Sequence, residues 1–203
     1  AKIQTIGILT SGGDAPGMNA AIRAVTRAGI CNGFNIKGIY RGYDGLINGE
    51  IEDFTTENVS GIIMSGGTIL KTARSKEFMT DEGKEKAYQS LQENGIDALV
   101  VIGGNGSLTG AMEFAKKYDI CCIGLPGTID NDLYGIDHCP GFGSAAKYIA
   151  TSISELEREL EVYDTPYVIV VEMMGRNAGW LTAAAALAES ANSNVPYLIY
   201  LEE

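Results

Sequence analysis

The amino-acid sequence predicts an α/β protein, a three-layer parallel sheet with helices on both faces. Three observations lead there. Short apolar runs alternate with amphipathic stretches along the chain. The runs are nearly continuous in apolar residues, as strands covered on both faces must be. Glycine clusters follow several of them directly, where open α/β sheets pass from strand to helix.

Ile6–Thr10 reads as the first strand and Asn19–Ile30 as the first helix, across a loop that holds Pro16 and Gly17. Ile36–Tyr40 is the second strand. Asp81–Glu93 is a polar-faced helix stopped by Asn94-Gly95. Ala98–Ile102 is a strand, and Ser107–Tyr118 repeats Leu108, Ala111, Met112 and Ala115 at helical spacing. Ile120–Leu125 is a strand ended by Pro126-Gly127, with Cys121 and Cys122 expected to pack inside it as small apolar groups. Ser144–Leu160 places Ile149, Ile153, Leu156 and Leu160 on one helix face. Val168–Val171 reads as a strand, Ala178–Ala188 as a helix and Tyr197–Leu201 as a last strand. Trp180 is expected in the core, and Tyr197 and Tyr200 as packing residues.

The 203 residues suffice for one sizeable core or two small lobes. A net charge of −11 argues against nucleic acid and anionic membranes as partners. The four cysteines have neither zinc-site nor CxxC spacing, so a reduced, cytoplasmic protein is expected. There is no basic-plus-apolar leader and no long apolar span, so neither secretion nor membrane insertion is expected.

The chain has 26 glycines, where average usage gives about 14. Three loops concentrate them: Thr10-Ser11-Gly12-Gly13-Asp14-Ala15-Pro16-Gly17, Ser65-Gly66-Gly67-Thr68 followed by Lys71 and Arg74, and Gly103-Gly104-Asn105-Gly106-Ser107. Backbone N–H groups reach a crowded phosphate chain only where no Cβ intervenes, and a helix N-terminus adds free N–H groups and a favourable dipole. Lys71 and Arg74 would supply local positive charge in a chain whose net charge is −11. No Walker A pattern is present, and Gly104-x-Gly106-x-x-x-Gly110 misses the dinucleotide spacing by one residue. Pro126-Gly127-Thr128-Ile129-Asp130-Asn131-Asp132 adds two carboxylates beside a hydroxyl, directly after a strand. One of two neighbouring carboxylates can have a raised pKa and take a proton; an Asx-turn is the structural alternative.

Taken together, TSGGDAPGMNAAIRA (10–24), GGTILKTAR (66–74), GGNGS (103–107), PGTIDND (126–132) and VVEMMGR (170–176) resemble the 6-phosphofructokinases. The five segments stand in that family's order and spacing over nearly the whole chain. The resemblance implies a phosphofructokinase-like fold and a cytoplasmic glycolytic transferase, a magnesium-dependent kinase that phosphorylates fructose 6-phosphate with ATP. It implies a homo-oligomer, a tetramer in the family. Residues 1–203 would be the nucleotide-binding part, with the C-terminal part of the sugar-phosphate lobe absent from this chain.

The site residues follow from the resemblance. Gly13 would meet the nucleotide phosphates and, with Thr128, steady the transferring phosphoryl group. Arg74, Ser75, Gly104, Asn105, Gly106 and Ser107 would line the ATP site, with Tyr43 bordering the adenosine. Asp130 would be the base for the sugar's 1-hydroxyl, and Asp132 would position substrate and magnesium-bound phosphates. Thr128, Ile129, Asp130, Met174, Gly175 and Arg176 would hold the sugar phosphate, and Arg176 would also serve catalysis. Pyrophosphate-using relatives tend to have Asp at the place of Gly106 and Lys at that of Gly127. Both are Gly here, which favours ATP, although GFGSAAKYIA (141–150) and MGRNAGW (174–180) resemble the pyrophosphate-using branch.

Three departures bear on activity. Asn105 stands where the family usually has the Asp associated with magnesium, so it keeps an oxygen ligand and loses a charge. Tyr167 stands where the family commonly has an Arg that reaches the sugar's phosphate. The chain also ends soon after its last expected strand. A pyrophosphate-dependent enzyme and a regulatory nucleotide-binding paralogue are the alternatives. Arg23 and Arg27 match part of the family's effector site, with Thr56 in place of an Arg; a solvated helix face is the equal alternative. His138 is expected at the surface, and Lys147 either adds charge near the acid loop or faces water.

Overall fold

The computed structural model describes residues 2–189 and 195–201. The chain forms two compact units, Ala1–Thr128 and Ile129–Glu203.

The first unit is built on a five-stranded sheet: β1 (Thr5–Ser11), β2 (Asn35–Ile39), β3 (Ile51–Phe54), β4 (Ala98–Gly103) and β5 (Cys121–Pro126), in the order β3-β2-β1-β4-β5. The pairs β1–β2, β1–β4 and β4–β5 are parallel. The sheet is not wholly parallel, because β3 folds back antiparallel onto β2. Alternation along the strands sends side chains to two covered faces. One face of Leu9, Ile39, Leu99 and Val101 packs on α2 (Gly42–Asn48), the 3-10 turn Glu77–Met79, α3 (Asp81–Glu93) and α4 (Asn105–Tyr118), through Tyr43, Leu46, Phe78, Leu91 and Phe114. The other face carries Ile36 and Ile102 against α1 (Met18–Cys31), whose Gly29 lies over Ile36. Helices on both faces are therefore present, as expected.

Local chemistry explains the element ends. Thr80 caps α3 by accepting the Gly83 N–H at 3.0 Å, with Asp81 and Glu82 in the first turn, where the helix dipole favours acids. Gly95, at φ 62°, turns the chain away after Asn94. The Asp97 carboxylate accepts the N–H groups of Gln4 and Thr5 at 2.8 and 2.9 Å, which pins the start of β1 to the start of β4.

The second unit contains α5 (Phe142–Leu160), α6 (Trp180–Ala183) and a 3-10 turn at Ala184–Ala188. Leu181, Ala184, Ala185 and Ala188 are buried there. Several sequence expectations are corrected. Neither Val168–Val171 nor Tyr197–Leu201 forms a strand. An apolar run becomes a strand only when a ladder partner takes its N–H and C=O groups, and neither run has one among the described residues. The helix expected over Ala178–Ala188 is the short α6 continued as the 3-10 turn. Trp180 is 57% exposed, not core, and Tyr200 is 80% exposed. Tyr197 is half-buried and donates its hydroxyl to Glu157 at 2.7 Å. Cys121 is exposed and Cys122 only half-buried, because β5 is an outer strand of the sheet. Burial pushes the Cys122 thiol up to about 11.

Candidate functional site

The strand order reverses at β1: β2 lies on one side and β4 on the other. Such a reversal opens a crevice at the carboxyl ends of the strands, where open α/β sheets bind ligands. Ser11 and Gly103, the last residues of β1 and β4, are register partners. The first and third glycine loops thus leave the sheet side by side. A Cβ on Gly103 would lie 2.6 Å from the Ser11 carbonyl oxygen and 2.9 Å from Ser107 Cβ, so only glycine permits this approach. Gly12 adopts φ 91°, and a Cβ there would lie 3.1 Å from Ser107 Oγ. Thr128 follows β5 at the same end: Gly127 N–H donates to the Gly103 carbonyl at 2.9 Å, and a Cβ on Gly104 would be 3.6 Å from Thr128 Cβ.

The second loop is tied to this end by side chains. Thr72 Oγ1 donates to the Gly12 carbonyl at 2.6 Å. Thr10 Oγ1 donates to the Lys71 carbonyl at 2.8 Å and lies 2.9 Å from Thr68 Oγ1. Thr72 and Asn19 were not singled out from the sequence, and Thr10 only as the first residue of a glycine loop. Their one signal was polarity amid apolar neighbours; Thr10 ends an apolar run, and Asn19 follows Met18 and precedes two alanines.

The two loops that open helices differ electrostatically. The N–H groups of Asn105, Gly106 and Ser107, in the first turn of α4, have no partner among the described residues. They form a donor cluster at the positive end of a helix dipole, suited to an anion. The first turn of α1 is not open in this way. Met18 N–H donates to the Ala15 carbonyl and Asn19 N–H to the Gly67 carbonyl. The free helix N-terminus expected after the first loop is therefore partly closed by protein. Gly13 itself is exposed, and a Cβ there would meet nothing within 4 Å. Lys71 and Arg74 are exposed in a segment without helix or strand, and Lys71 adopts φ 59°. Ser75 Oγ accepts the Phe78 N–H at 3.1 Å, which starts the 3-10 turn Glu77–Met79.

Tyr43 is placed differently from the expectation that it borders adenosine. It is 5% exposed, its ring stacks on Phe78 at 3.8 Å between centroids, and its hydroxyl donates to the Ser107 carbonyl at 2.7 Å. Burial pushes its phenol far above the usual range. It supports the third loop from beneath.

The second unit holds the acid loop. Asn131 is buried with φ 55°; its Nδ2 donates to the Asp137 carbonyl at 3.0 Å and its Oδ1 accepts the Cys139 N–H at 2.7 Å. This closes the loop with Asp130 and Asp132 on either side of the buried asparagine. Burial raises the Asp130 carboxyl above the usual carboxylate range, Asp132 adds to that, and Arg176 opposes it. Asp132 and Arg176 thus both act on Asp130 electrostatically. Gly175 and Arg176 adopt φ 127° and 52°, with the Gly175 carbonyl accepting the Ala178 N–H at 3.0 Å. Met174 is exposed. His138 and Lys147 are exposed as well.

Glycine-lined strand ends beside an open helix N-terminus, at the reversal point of a mostly parallel sheet, are the arrangement in which open α/β proteins bind phosphate groups. The phosphofructokinase family profile matches residues 5–199, and the chain belongs to that family. It is 56% identical over 193 residues to "ATP-dependent 6-phosphofructokinase 2" of Bacteroides thetaiotaomicron, covering 95% of this chain and 59% of that protein. It is 51% identical over 191 residues to the ATP-dependent 6-phosphofructokinase of Clostridium botulinum, covering 94% of this chain and 59% of that protein. The chain thus spans about three-fifths of the length of these curated relatives. Among solved structures, a phosphofructokinase from Saccharomyces cerevisiae superposes with a TM-score of 0.84 at 39% identity, over 88% of this chain and 27% of that one. A pyrophosphate-dependent phosphofructokinase from Marinobacter aquaeolei gives 0.85 at 30% identity, over 97% and 52%.

Proposed function

We propose that the full-length protein transfers the terminal phosphoryl group of ATP to the 1-hydroxyl of fructose 6-phosphate, giving fructose 1,6-bisphosphate and ADP. The observation that carries this is the meeting of the first and third glycine loops at the ends of β1 and β4, beside free amides in the first turn of α4. The similarity to ATP-dependent 6-phosphofructokinases supports it.

In this reading the amides of Gly13 and of Gly104 to Ser107, with Arg74 and Ser75, hold the donor phosphates. Asp130 takes the proton of the 1-hydroxyl; that oxygen attacks the terminal phosphorus, and the bond to the bridging oxygen breaks as ADP leaves. A raised carboxyl pKa brings a base closer to the operating pH. Thr128 steadies the moving phosphoryl group, and Arg176 neutralises its charge. Ile129, Met174 and Gly175 hold the sugar phosphate, and Asp132 positions it.

Among the described residues no group of three or more His, Cys, Asp or Glu is placed to hold a metal. Magnesium would be carried mainly by phosphate oxygens, with the Asn105 amide oxygen as a neutral ligand. The ion supplies charge neutralisation on the phosphates when bound.

Pyrophosphate is the second reading, favoured by the similarity to the Marinobacter aquaeolei structure. Against it, Gly106 and Gly127 stand where pyrophosphate-using relatives tend to have Asp and Lys; a Cβ at Gly127 would lie 3.2 Å from Ile102 Cγ2 and 3.3 Å from Met18 Cε, so those side chains would have to give by a few tenths of an ångström. The remaining length of the protein would supply the rest of the sugar-phosphate site. No described helix is long and apolar enough to cross a membrane. The four free cysteines fit a reducing, cytoplasmic setting, and the homo-oligomer is carried over from the family resemblance alone.

The test is a coupled assay of the full-length protein with magnesium and either ATP or pyrophosphate. Turnover with ATP, lowered about 10²- to 10⁴-fold by Asp130→Asn, is expected. Turnover with pyrophosphate alone would transfer the reading to the second donor. Absence of turnover with both, alongside ATP binding, would favour a regulatory nucleotide-binding role.

A further inference from the structure

Asn19 is the second residue of α1 and is 2% exposed. Its side-chain Nδ2 donates to the carbonyls of Ser65 and Gly66, both at 3.1 Å. Its Oδ1 accepts the Ile69 N–H at 2.7 Å, and its own backbone N–H donates to the Gly67 carbonyl at 3.2 Å. One residue thus takes four bonds from a stretch of five, 65–69, that contains neither helix nor strand. Two carbonyls on one side and an N–H on the other fix which end of the amide is nitrogen. Aspartate lacks the two donors and would set a carboxylate against two carbonyl oxygens. Alanine would leave all three loop groups without this partner, at bonds that are part-buried on the loop side.

We propose that Asn19 is a positioning residue that latches loop 65–69 to the start of α1. The latch fixes the chain that continues through Lys71 and Thr72 to Arg74 beside the first glycine loop. Thr10 and Thr72 complete it, through the Lys71 carbonyl and the Gly12 carbonyl. Because the Asn19 N–H is held by Gly67, the latch also closes part of the α1 N-terminus. Donor phosphates are then left to the loop amides, the first turn of α4 and the cations after loop 65–69. This assignment rests on the kinase reading for its effect on the donor, whereas the latch itself rests on geometry alone.

The experiment compares full-length wild type with Asn19→Asp and Asn19→Ala. Thr26→Val is the control, a change at a buried hydroxyl on the same helix that has no partner among the described residues. Amide exchange and steady-state kinetics are both read. Expected in Asn19→Asp is at least tenfold faster exchange at Ile69, unchanged exchange in the middle of α1, and a KM for ATP raised about tenfold. The KM for fructose 6-phosphate stays within twofold, and Thr26→Val alters neither KM. If Asn19→Ala does not fold, Asn19→Asp carries the test. Unchanged exchange at Ile69 would overturn the latch. Faster exchange with an unchanged KM for ATP, or with both KM values altered equally, would reduce Asn19 to a purely structural residue and overturn the positioning role. A wild type that neither binds nor uses ATP would remove the kinase reading, and with it the donor effect, while exchange at Ile69 still decides the latch.

Discussion

Replacing Gly106 by alanine separates a glycine kept for a ligand from one kept for the fold. Gly106 is the second residue of α4, outside the left-handed region, and a Cβ there meets nothing within 4 Å. Alanine is better than glycine in a helix interior by up to about 1 kcal/mol, and about half of that is expected in a first turn. For a chain of this size that raises Tm by about 1–2 °C. The same methyl group is added within the open N–H cluster of Asn105 to Ser107. If it displaces one charge-assisted hydrogen bond to a phosphate, about 1.5–3 kcal/mol is lost, equivalent to roughly a 10- to 100-fold weaker affinity. The assay is a thermal melt and a calorimetric titration with ATP and magnesium on the full-length protein. A stable protein with weakened ATP binding is expected. A raised Tm with unchanged ATP affinity would refute the reasoning, because the missing Cβ would then serve no ligand.

Gly13→Ala is expected to behave similarly: a Cβ there is free of contacts, so Tm holds while ATP affinity falls about tenfold or more in the same titration. Tyr43→Phe removes the hydroxyl bond to the Ser107 carbonyl, and about 1 kcal/mol of stability is lost, read as a Tm lower by about 2–4 °C, with ATP affinity down a few-fold. Asp97 is held below the usual carboxylate range by the backbone N–H groups of Gln4 and Thr5. Its stabilisation is therefore complete above the unfolded value of about 3.9 and is lost as pH falls through the lower folded value. Asp97→Asn should lower Tm at pH 7 and narrow its gap from wild type below pH 4, in melts taken across that range.

The regular parts of the fold were legible because their signals are local. Asp81–Glu93 was bounded correctly, since Thr80, the early acids and Asn94-Gly95 mark its ends in the sequence itself. β1 and β4 followed from apolar runs that lead into glycine loops. α2 escaped notice because Gly42 and Gly45 make it a poor helix in isolation; the buried Tyr43 and Leu46 hold it in place. β3 is only four residues long and half of them are acidic, so its identity depends on pairing with β2. Val168–Val171 shows the reverse failure, an apolar run whose ladder partner no sequence pattern could guarantee. Glycine loops were visible as composition, yet their meeting depends on strand order. The latch was invisible, because Asn19 finds Ser65, Gly66 and Ile69 from 46 to 50 residues away. The switch of Tyr43 from lining to support had the same origin: its partner Ser107 lies 64 residues on.

Amide exchange on the full-length protein, with and without magnesium and ATP, bears most directly on whether bare strand-end amides hold the donor's phosphates. Protection is expected at Gly13 and across Asn105 to Ser107, with little change in the first turn of α1, whose Met18 and Asn19 N–H groups are already bonded within the protein. Protection confined to other residues, with those amides exchanging as before, would contradict it.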